Sequence, residues 1–436
     1  MLNSFVKYEK YWISGIIIAA FIASLCYSFG FSLQPSVDAR AYDSISWDIA
    51  QGKGYDTDSS VGRPGPGYEY FLAAIFYIFG HSYPAVWIIQ ALLLAATAYL
   101  VFLITRLVFK ESWHPLMGLI AAALVGLSPD LISMSAMLMT EMLVVFLSVA
   151  SIYCFFKYID AKNIIWIPLA AISMAAAILT RSNLLFLVLP MIIYFIISKD
   201  WKRGLLFIFI FLICFIPWTV RNYGVYGEFK PFNSSMGLIY VGNHSGATGE
   251  LVLNYSFPEG YGDFRKMDQI DFDNNLGRAG IDYIIHNPLQ FIKLTIWRIS
   301  TYFSFARPFA FWPHLAGLAK AITIVLSSIY SIIIFGLGLA GAVLSLKRFG
   351  EKKSPALLLA MFLTTLSVVV LIVETRYRLV SYPMLAVFGG FSVYWLASKQ
   401  EELKRILIKI WPVLALLAAN TAFDVIRNWD RIIERL

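Results

Sequence analysis

Residues 12–33 read WISGIIIAAFIASLCYSFGFSL, an apolar run without a charged side chain. About 20 such residues suffice to cross the hydrocarbon core of a bilayer as a helix. The run is longer than the apolar core of a signal peptide, about 7–15 residues, and no clear small-residue cleavage motif precedes Pro35. We therefore expect a retained transmembrane helix here.

Similar apolar runs recur along the rest of the sequence. The 436 residues are 59% hydrophobic and 14% charged, with a mean hydropathy of +0.70, whereas soluble domains carry about 25% charged residues. About eleven spans are predicted: 12–33, 84–105, 115–131, 134–156, 163–179, 182–198, 204–220, 316–345, 356–373, 379–398 and 406–423. We expect an all-α integral membrane protein, with residues 1–436 forming a single polytopic domain.

Lysine and arginine are distributed unequally between the two ends of these spans. If the amino terminus is cytoplasmic, every loop on its side is basic, as around Lys110, Lys162 and Lys353. The short loop 129–133 on the other side contains neither Lys nor Arg. The positive-inside rule therefore predicts a cytoplasmic amino terminus.

Two long segments then lie outside the cytoplasm, residues 34–83 and residues 221–315. The first contains an amphipathic stretch, Asp38–Ala50, and an apolar stretch, Tyr68–Phe79, that is too short to span comfortably. Both predict juxtamembrane helices in the first external loop. In the second segment, Pro288–Phe305 predicts another interfacial helix because its basic residues lie among aromatic ones.

Charged side chains gather at the predicted external ends of the spans, although they come from six separated parts of the sequence. They are Asp38, Asp43, Arg63, Glu141, Arg181, Arg221, Glu374, Arg376 and Arg378. Ionisable residues at membrane depth are rare and usually functional. We predict that they meet at one external cavity.

Individual residue types in this group indicate acid–base chemistry and anion binding. Asp38 is a candidate general base that shares a helical face with Tyr42; the alternative is an acid that complements the helix dipole. Glu141 has a similar alternative as a capping residue. Arg63, held between glycine and proline, is suited to grip a phosphate through two parallel hydrogen bonds.

The sequence ETRYR at residues 374–378 places two arginines on the external side, against the positive-inside trend. A phosphate or pyrophosphate headgroup explains them, with Glu374 holding one arginine in place. Arg181 and Arg221 alternatively snorkel to lipid headgroups.

Several function classes lose their support. The sequence has no GxxxxGK[ST], GxGxxG or HExxH motif. The net charge of +8 does not indicate nucleic-acid binding, because the basic residues form short clusters between apolar runs. The cysteines lie in apolar segments and the histidines are scattered, so no metal site is predicted, although a divalent cation stays open as a cofactor.

Short motifs also occur in a characteristic order over residues 1 to about 400. They are Asp38-x-x-x-Tyr42, Arg63-Pro64, Pro66-Gly67-Tyr68, Thr140-Glu141, Leu179-Thr180-Arg181, Pro217-Trp218-Thr219-Val220-Arg221-Asn222-Tyr223, Gly242-Asn243 and Arg376-Tyr377-Arg378. In this order they resemble the motifs of bacterial relatives of protein O-mannosyltransferases and lipid A aminoarabinose transferases.

This resemblance implies a bundle of the GT-C type in the bacterial cytoplasmic membrane, with its site facing the periplasm or exterior. It implies inverting transfer of a sugar from a polyprenyl-phosphate donor to a lipid or glycan acceptor, with Asp38 as general base. Predicted substrate contacts are Tyr42, Arg63, Tyr68, Glu141, Arg181, Arg221, Asn243, Glu374, Arg376 and Arg378.

The sequence also departs from these families. Ala39 replaces the acid that follows the aspartate in protein O-mannosyltransferases, and Gly62 replaces the acid before the basic residue in the aminoarabinose enzymes. A protein acceptor and an aminoarabinose donor are therefore disfavoured. The alternatives are an O-antigen ligase or polymerase acting on diphosphate-linked glycans, and a lipid-linked glycan transporter.

Overall fold

The computed structural model describes residues 2–55, 65–232, 236–251, 255–306, 314–346, 353–399 and 403–430. These residues form nineteen α-helices and no β-strand, only an isolated bridge between Glu250 and Val373. The helices are α1 (Leu2–Lys7), α2 (Glu9–Phe31), α3 (Asp38–Ala50), α4 (Gly67–Phe79), α5 (Tyr83–Val108), α6 (Pro115–Gly126), α7 (Pro129–Ser135), α8 (Thr140–Ala161), α9 (Trp166–Thr180), α10 (Val188–Ile197), α11 (Trp201–Ile213), α12 (Ile216–Tyr226), α13 (Gly237–Gly242), α14 (Gln269–His286), α15 (Pro288–Phe303), α16 (Gly317–Ser345), α17 (Lys353–Val369), α18 (Tyr382–Ser398) and α19 (Leu403–Arg427).

Within the described part of the chain, seven helices are long and apolar enough to cross a membrane. They are α2, α5, α8, α16, Trp201–Tyr226 (α11 with α12), Thr375–Ser398 (a 3₁₀ helix with α18) and Leu407–Arg427 within α19. The pair α6 and α7, bent by 49° at its break, is apolar enough only when taken together, and the number rises to eight if the pair is counted as one span. The all-helical membrane class is therefore confirmed.

The predicted count of about eleven spans is not confirmed. Three of the predicted spans correspond to shorter apolar helices, α9, Ser182–Ile197 and α17, which fall below the length of about 20 residues that a straight crossing requires. The predicted juxtamembrane helices in the first loop are present as α3 and α4.

The predicted span 115–131 is broken at Ser128. The Ser128 hydroxyl accepts a hydrogen bond from the Leu131 amide at 3.3 Å, which caps the start of α7. Pro129 occupies the first helical position, where its missing N–H costs nothing. Because proline also disfavours helical geometry in the residue before it, the chain leaves α6 before Ser128 and restarts as α7.

Ion pairs identify the two ends of the bundle. At one end, Asp160 accepts from Lys110 and from Lys353, each at 3.0 Å, and we call this the basic end. At the other end, which we call the site end, Asp38 meets Arg376 across 338 positions of sequence. The loops predicted to share a side of the membrane are therefore together in the structure.

Helix α18 packs closely between α6 and α16 because glycines line both contacts. A Cβ atom built on Gly341 of α16 would lie 1.9 Å from the carbonyl oxygen of Phe388. One built on Gly390 of α18 would lie 2.0 Å from the carbonyl oxygen of Met117. Small residues let helix backbones approach in this way within membranes. The start of α18, which leads into the site, is thereby fixed in position.

We expect Gly341→Ala to destabilise the protein by about 1–3 kcal/mol, because the added methyl group meets backbone that cannot move aside. The measurement is the thermal unfolding of the detergent-solubilised protein. Gly336→Ala in the same helix is the matched control, since its Cβ would meet only a side-chain carbon of Leu414 at 3.5 Å. Equal melting temperatures for the two variants would contradict this view of the α16–α18 contact.

Candidate functional site

A cavity of about 420 Å³ opens at the site end of the bundle. Its lining comes from α3, the start of α8, the turn after α9, the end of α17 and the 3₁₀ helix Thr375–Ser381. Its polar and aromatic lining includes Asp38, Tyr42, Glu141, Arg181, Arg376 and Tyr377, and its apolar lining includes Leu238, Leu251, Val368, Leu371 and Ile372. Elements that are distant in sequence thus meet around one space.

Asp38 stands at the first position of α3, where it faces this cavity. Its Oδ2 atom accepts a hydrogen bond from Arg376 Nη2 at 3.1 Å, and 43% of its side chain is exposed. The preceding residue, Val37, has φ = 51° and ψ = −121°, a conformation that is unfavourable for a β-branched side chain. Such strained residues cluster at functional sites because the surrounding structure holds them in place.

Arg376 connects Asp38 to two further carboxylates. Its Nε atom lies 2.6 Å from Glu374 Oε2 and 3.8 Å from Glu141 Oε1. Glu141, which is 1% exposed, also accepts from Arg181 Nη1 at 3.0 Å. Glu374, which is not among the cavity-lining residues, therefore holds Arg376 in place, as the sequence predicted. Glu141 lies between Arg181 and Arg376.

The charges of this network do not cancel. Three carboxylates, Asp38, Glu141 and Glu374, surround two guanidinium groups, Arg181 and Arg376. Since each carboxylate carries one negative charge and each guanidinium one positive charge, the network has a net charge of −1. An anionic ligand must therefore displace a carboxylate from an arginine or draw on positive charge from outside the network.

Tyr42 supplies a neutral hydroxyl beside Asp38. Burial raises the pKa of Tyr42 above the usual tyrosine range, and the negative charges of Glu69, Glu141 and Asp38 raise it further. The phenol therefore stays protonated and keeps its ability to donate a hydrogen bond. Its ring packs edge-to-face against Tyr68 with centroids 5.3 Å apart, and the buried Tyr68 hydroxyl donates to Gln90 Oε1. Tyr68 thus supports Tyr42 from outside the cavity lining.

The structure does not place Arg378 in the cavity, contrary to the prediction. Its side chain is completely buried and donates to the Ser304 carbonyl at 2.9 Å and to Ser331 Oγ at 3.0 Å. Arg376 and Arg378 are two positions apart in the 3₁₀ helix Thr375–Ser381, so their side chains point to different sides of this helix. Arg376 and Tyr377 therefore face the cavity while Arg378 faces the core.

Asn243, another predicted substrate contact, is also fully buried. Its Oδ1 atom accepts from Arg298 Nη2 at 3.0 Å, so the amide serves a neighbouring side chain rather than a ligand. Arg298 itself is completely buried, whereas Lys293 of the same helix is exposed. The predicted helix is present as α15, and its interfacial position stays a prediction.

Arg221 lies in the middle of α12, outside the cavity lining. Its guanidinium stacks on Trp218 at 4.8 Å and Tyr55 at 5.2 Å, and it donates to the Tyr55 carbonyl at 3.4 Å. Arg63 lies outside the described residues.

Sequence reasoning missed one polar cluster altogether. Asp130 of α7 is 1% exposed and accepts hydrogen bonds from Ser327 of α16 and from the hydroxyl of Tyr382 at the start of α18. The positive charge of Arg378 also acts on Asp130. The sequence did contain a signal for this cluster. Asp130 is an acid in a short, otherwise apolar loop, and a carboxylate at membrane depth requires a partner.

The described residues contain no group of three or more His, Cys, Asp or Glu side chains that could hold a metal ion. The acids nearest the cavity, Asp38, Glu141 and Glu374, are each bound to an arginine. The structure thus offers no ready ligand set in this part of the chain for the divalent cation that the sequence left open.

Comparison with known proteins supports the fold. Residues 63–220 match the model of the dolichyl-phosphate-mannose-protein mannosyltransferase family, which is less than half of the chain. This match includes Glu141 and Arg181 but neither Asp38 nor Arg376. A search of the curated proteins finds none that matches significantly.

Solved structures of oligosaccharyltransferases from Archaeoglobus fulgidus are similar over nearly the whole chain. The structure of AglB in complex with an inhibitory peptide and a dolichol-phosphate has a TM-score of 0.55 and 16% identity, covering 96% of this chain and 55% of AglB. An apo form has a TM-score of 0.53 and 15% identity, covering 94% of this chain and 56% of that one. The present chain therefore spans about half the length of these proteins.

ArnT from Cupriavidus metallidurans, bound to undecaprenyl phosphate, matches with a TM-score of 0.42 and 14% identity, covering 90% of this chain and 79% of ArnT. The helical architecture and the similarity to AglB over 96% of the sequence identify this chain as a polytopic membrane protein with the GT-C fold, similar over residues 63–220 to dolichyl-phosphate-mannose-protein mannosyltransferases.

Proposed function

We propose that the protein is a glycosyltransferase that moves a sugar from a polyprenyl-phosphate carrier to a hydroxyl group of a lipid or glycan acceptor. The observation that carries this proposal is the pairing of Asp38 with Arg376 at 3.1 Å on the wall of one cavity. A carboxylate suits an acceptor hydroxyl, and a guanidinium suits a phosphate. The family match and the dolichol-phosphate bound by the AglB structure support a lipid-phosphate donor.

In the proposed reaction, Asp38 removes the proton of the acceptor hydroxyl as its oxygen attacks the anomeric carbon of the sugar. The bond from that carbon to the phosphate oxygen breaks, and polyprenyl phosphate leaves with one additional negative charge. Arg376 and Arg181 stabilise this growing charge, which is the usual task of guanidinium groups in group transfer. A single displacement from the face opposite the phosphate inverts the anomeric configuration, and the proton remains on Asp38.

Donor binding must change the contacts of Arg376, because its guanidinium already faces three carboxylates. The phosphodiester of the donor carries one negative charge, as Asp38 does, and its oxygens accept charge-assisted hydrogen bonds from arginine. Its negative charge then increases by one as the sugar is transferred. We propose that the phosphate takes the place of Asp38 on Arg376 while Glu374 keeps the arginine in position. Asp38 is then free to accept the proton of the acceptor.

Further contacts to the carrier phosphate are assigned to Arg63 and Arg221. Arg63 is supported by its place in the sequence between Gly62 and Pro64. Arg221 is supported by its guanidinium, which packs against Tyr55 and Trp218. The sugar itself is assigned to Tyr42, whose protonated hydroxyl lines the cavity beside Asp38.

The orientation of the site is also proposed. The basic end, with Lys110 and Lys353 around Asp160, is assigned to the cytoplasm by the positive-inside rule. The cavity at the opposite end then faces the non-cytoplasmic side of a bacterial cytoplasmic membrane, where the sugar of a flipped polyprenyl-phosphate carrier is presented.

The direct test uses purified protein in proteoliposomes with a radiolabelled polyprenyl-phosphate sugar and fractionated envelope lipids and glycans as acceptors. We expect a glycosylated product of inverted configuration and release of polyprenyl phosphate only when acceptor is present. Movement of intact donor between leaflets without release would instead identify a transporter. Reaction with a diphosphate-linked oligosaccharide alone would identify a ligase or polymerase.

A further inference from the structure

Arg298, in the middle of α15, is a charged residue that the proposed reaction does not use. Its side chain is completely buried. The guanidinium donates to three neutral oxygens: the Gly242 carbonyl, Asn243 Oδ1 at 3.0 Å and the Val370 carbonyl at 3.3 Å. Its Nε atom has no hydrogen-bond partner.

No carboxylate in the described part of the chain lies within 4 Å of this guanidinium, unlike the guanidinium of Arg376. Burial alone lowers the pKa of Arg298 to about 10, so the side chain still carries its positive charge at neutral pH. A buried charge without a counter-ion is unfavourable, and buried charges in proteins are normally paired. Among the described residues, the Arg298 charge is thus bound by neutral oxygens and has no counter-ion.

The position of Arg298 relates this charge to the cavity. Val370, whose carbonyl it binds, is followed directly by Leu371 and Ile372, which line the cavity. Gly242, whose carbonyl it also binds, packs against the backbone of Leu371: a Cβ built there would lie 2.1 Å from the Leu371 oxygen and 3.3 Å from Arg298 Nη2. One layer of backbone therefore separates the guanidinium from the cavity wall.

We propose that Arg298 attracts the anionic headgroup of the ligand into the cavity through the Leu371 wall, without touching the ligand. The charged residues that line the cavity, Asp38 and Glu141 with Arg181 and Arg376, balance each other, so the positive charge of Arg298 behind the wall makes this space more favourable for a phosphate. This inference rests on the proposed function for the identity of the anion. It assigns Arg298 an electrostatic role that adds to the direct contacts proposed for Arg376 and Arg181.

The medium between Arg298 and the cavity determines how strongly its charge affects phosphate binding. The space between Arg298 and the cavity is filled with protein, so its charge is screened less than a charge at the surface. The loss of one such charge is expected to weaken phosphate binding by about tenfold. The affinity for an uncharged ligand of the same shape should not change.

The test measures two dissociation constants in detergent micelles, one for polyprenyl phosphate and one for the uncharged polyprenol of the same length. Their ratio reports the contribution of the phosphate and cancels general effects of packing. It is measured for the wild type, for Arg298→Gln, which removes the charge, and for Arg298→Lys, which keeps the charge but loses the planar hydrogen bonds. Arg278→Gln, an exposed arginine on the neighbouring helix α14, is the control.

We expect the preference for phosphate over alcohol to fall about tenfold in Arg298→Gln and to stay within about threefold of wild type in Arg298→Lys and Arg278→Gln. An unchanged ratio in the glutamine variant, or an equal loss in the lysine variant, would overturn the proposal by showing that Arg298 is only a packing residue. If the wild type itself did not prefer polyprenyl phosphate over polyprenol, the proposed function would fail too. The wild-type ratio therefore tests the proposed function, and the ratio in the variants tests the role of Arg298.

Discussion

Replacing Asp38 by asparagine is expected to reduce sugar transfer by at least about 100-fold. Asparagine has nearly the same shape, and its oxygen can still accept a hydrogen bond from Arg376, but its amide cannot take a proton from the acceptor. Folding should be little affected because 43% of the Asp38 side chain is exposed and the loss of a charge at the start of a helix costs only about 0.3–1 kcal/mol. Initial rates with labelled donor measure the effect.

The same variant also tests the competition at Arg376. Since asparagine is neutral, the phosphate of the donor no longer displaces a carboxylate, and polyprenyl phosphate should bind as tightly as in the wild type or more tightly. Asp48→Asn in the same helix is the matched control, because Asp48 pairs only with the exposed Lys53 at 2.8 Å. Near-normal turnover in Asp38→Asn would remove Asp38 from the role of base.

The largest effect on stability is expected from Arg378→Met. This substitution removes a completely buried guanidinium whose positive charge acts on the buried Asp130 carboxyl, and removing one member of a buried, interacting polar network is expected to cost about 3 kcal/mol. It also removes the hydrogen bonds to Ser304 and Ser331, which tie the 3₁₀ helix to α15 and α16. The free energy of unfolding in detergent, from denaturant titration, measures the loss.

A double variant distinguishes an interaction between Asp130 and Arg378 from a simple loss of packing at Arg378. Asp130→Asn removes the charge that Arg378→Met leaves uncompensated, so the double variant should be more stable than the sum of the two single effects implies. Arg106→Met, an exposed arginine 3.8 Å from Glu9, should change stability by less than about 1 kcal/mol. Strictly additive single effects would show that Asp130 and Arg378 do not interact.

The class of fold was predictable because apolar runs of spanning length are a strong signal and because basic residues mark one end of each. The number of spans was not predictable from the sequence. Hydropathy does not register the break at Ser128–Pro129 or distinguish the 15-residue α9 and the 17-residue α17 from full-length helices. Those lengths depend on turns and caps within the run.

The candidate site was predictable where residues stand at the ends of spans. Asp38, Glu141, Arg181 and Arg376 were expected to meet, and the structure brings them together through ion pairs. Whether they act in catalysis or substrate binding stays a prediction. The burial of the Arg378 side chain was not predictable, because the sequence does not show which type of helix residues 375–381 form, and the type of helix determines where each side chain points.

The buried partners were the hardest part to foresee. Asp130 is joined to Ser327 and Tyr382, almost 200 and more than 250 positions away, and Arg298 is joined to carbonyls from two other segments. Every residue has a backbone carbonyl, so the type of residue does not indicate which carbonyl will accept a hydrogen bond. A sequence therefore reveals the presence of such a charge but not where its partners lie.

The structure of the protein with a non-transferable polyprenyl-phosphate sugar analogue tests the central claim most directly. The account predicts the phosphate within hydrogen-bonding distance of Arg376, with Asp38 detached from that arginine and directed towards the anomeric carbon. It predicts room for an acceptor oxygen about 3 Å from both. A headgroup bound outside this cavity, with the Asp38–Arg376 pair intact, would contradict it.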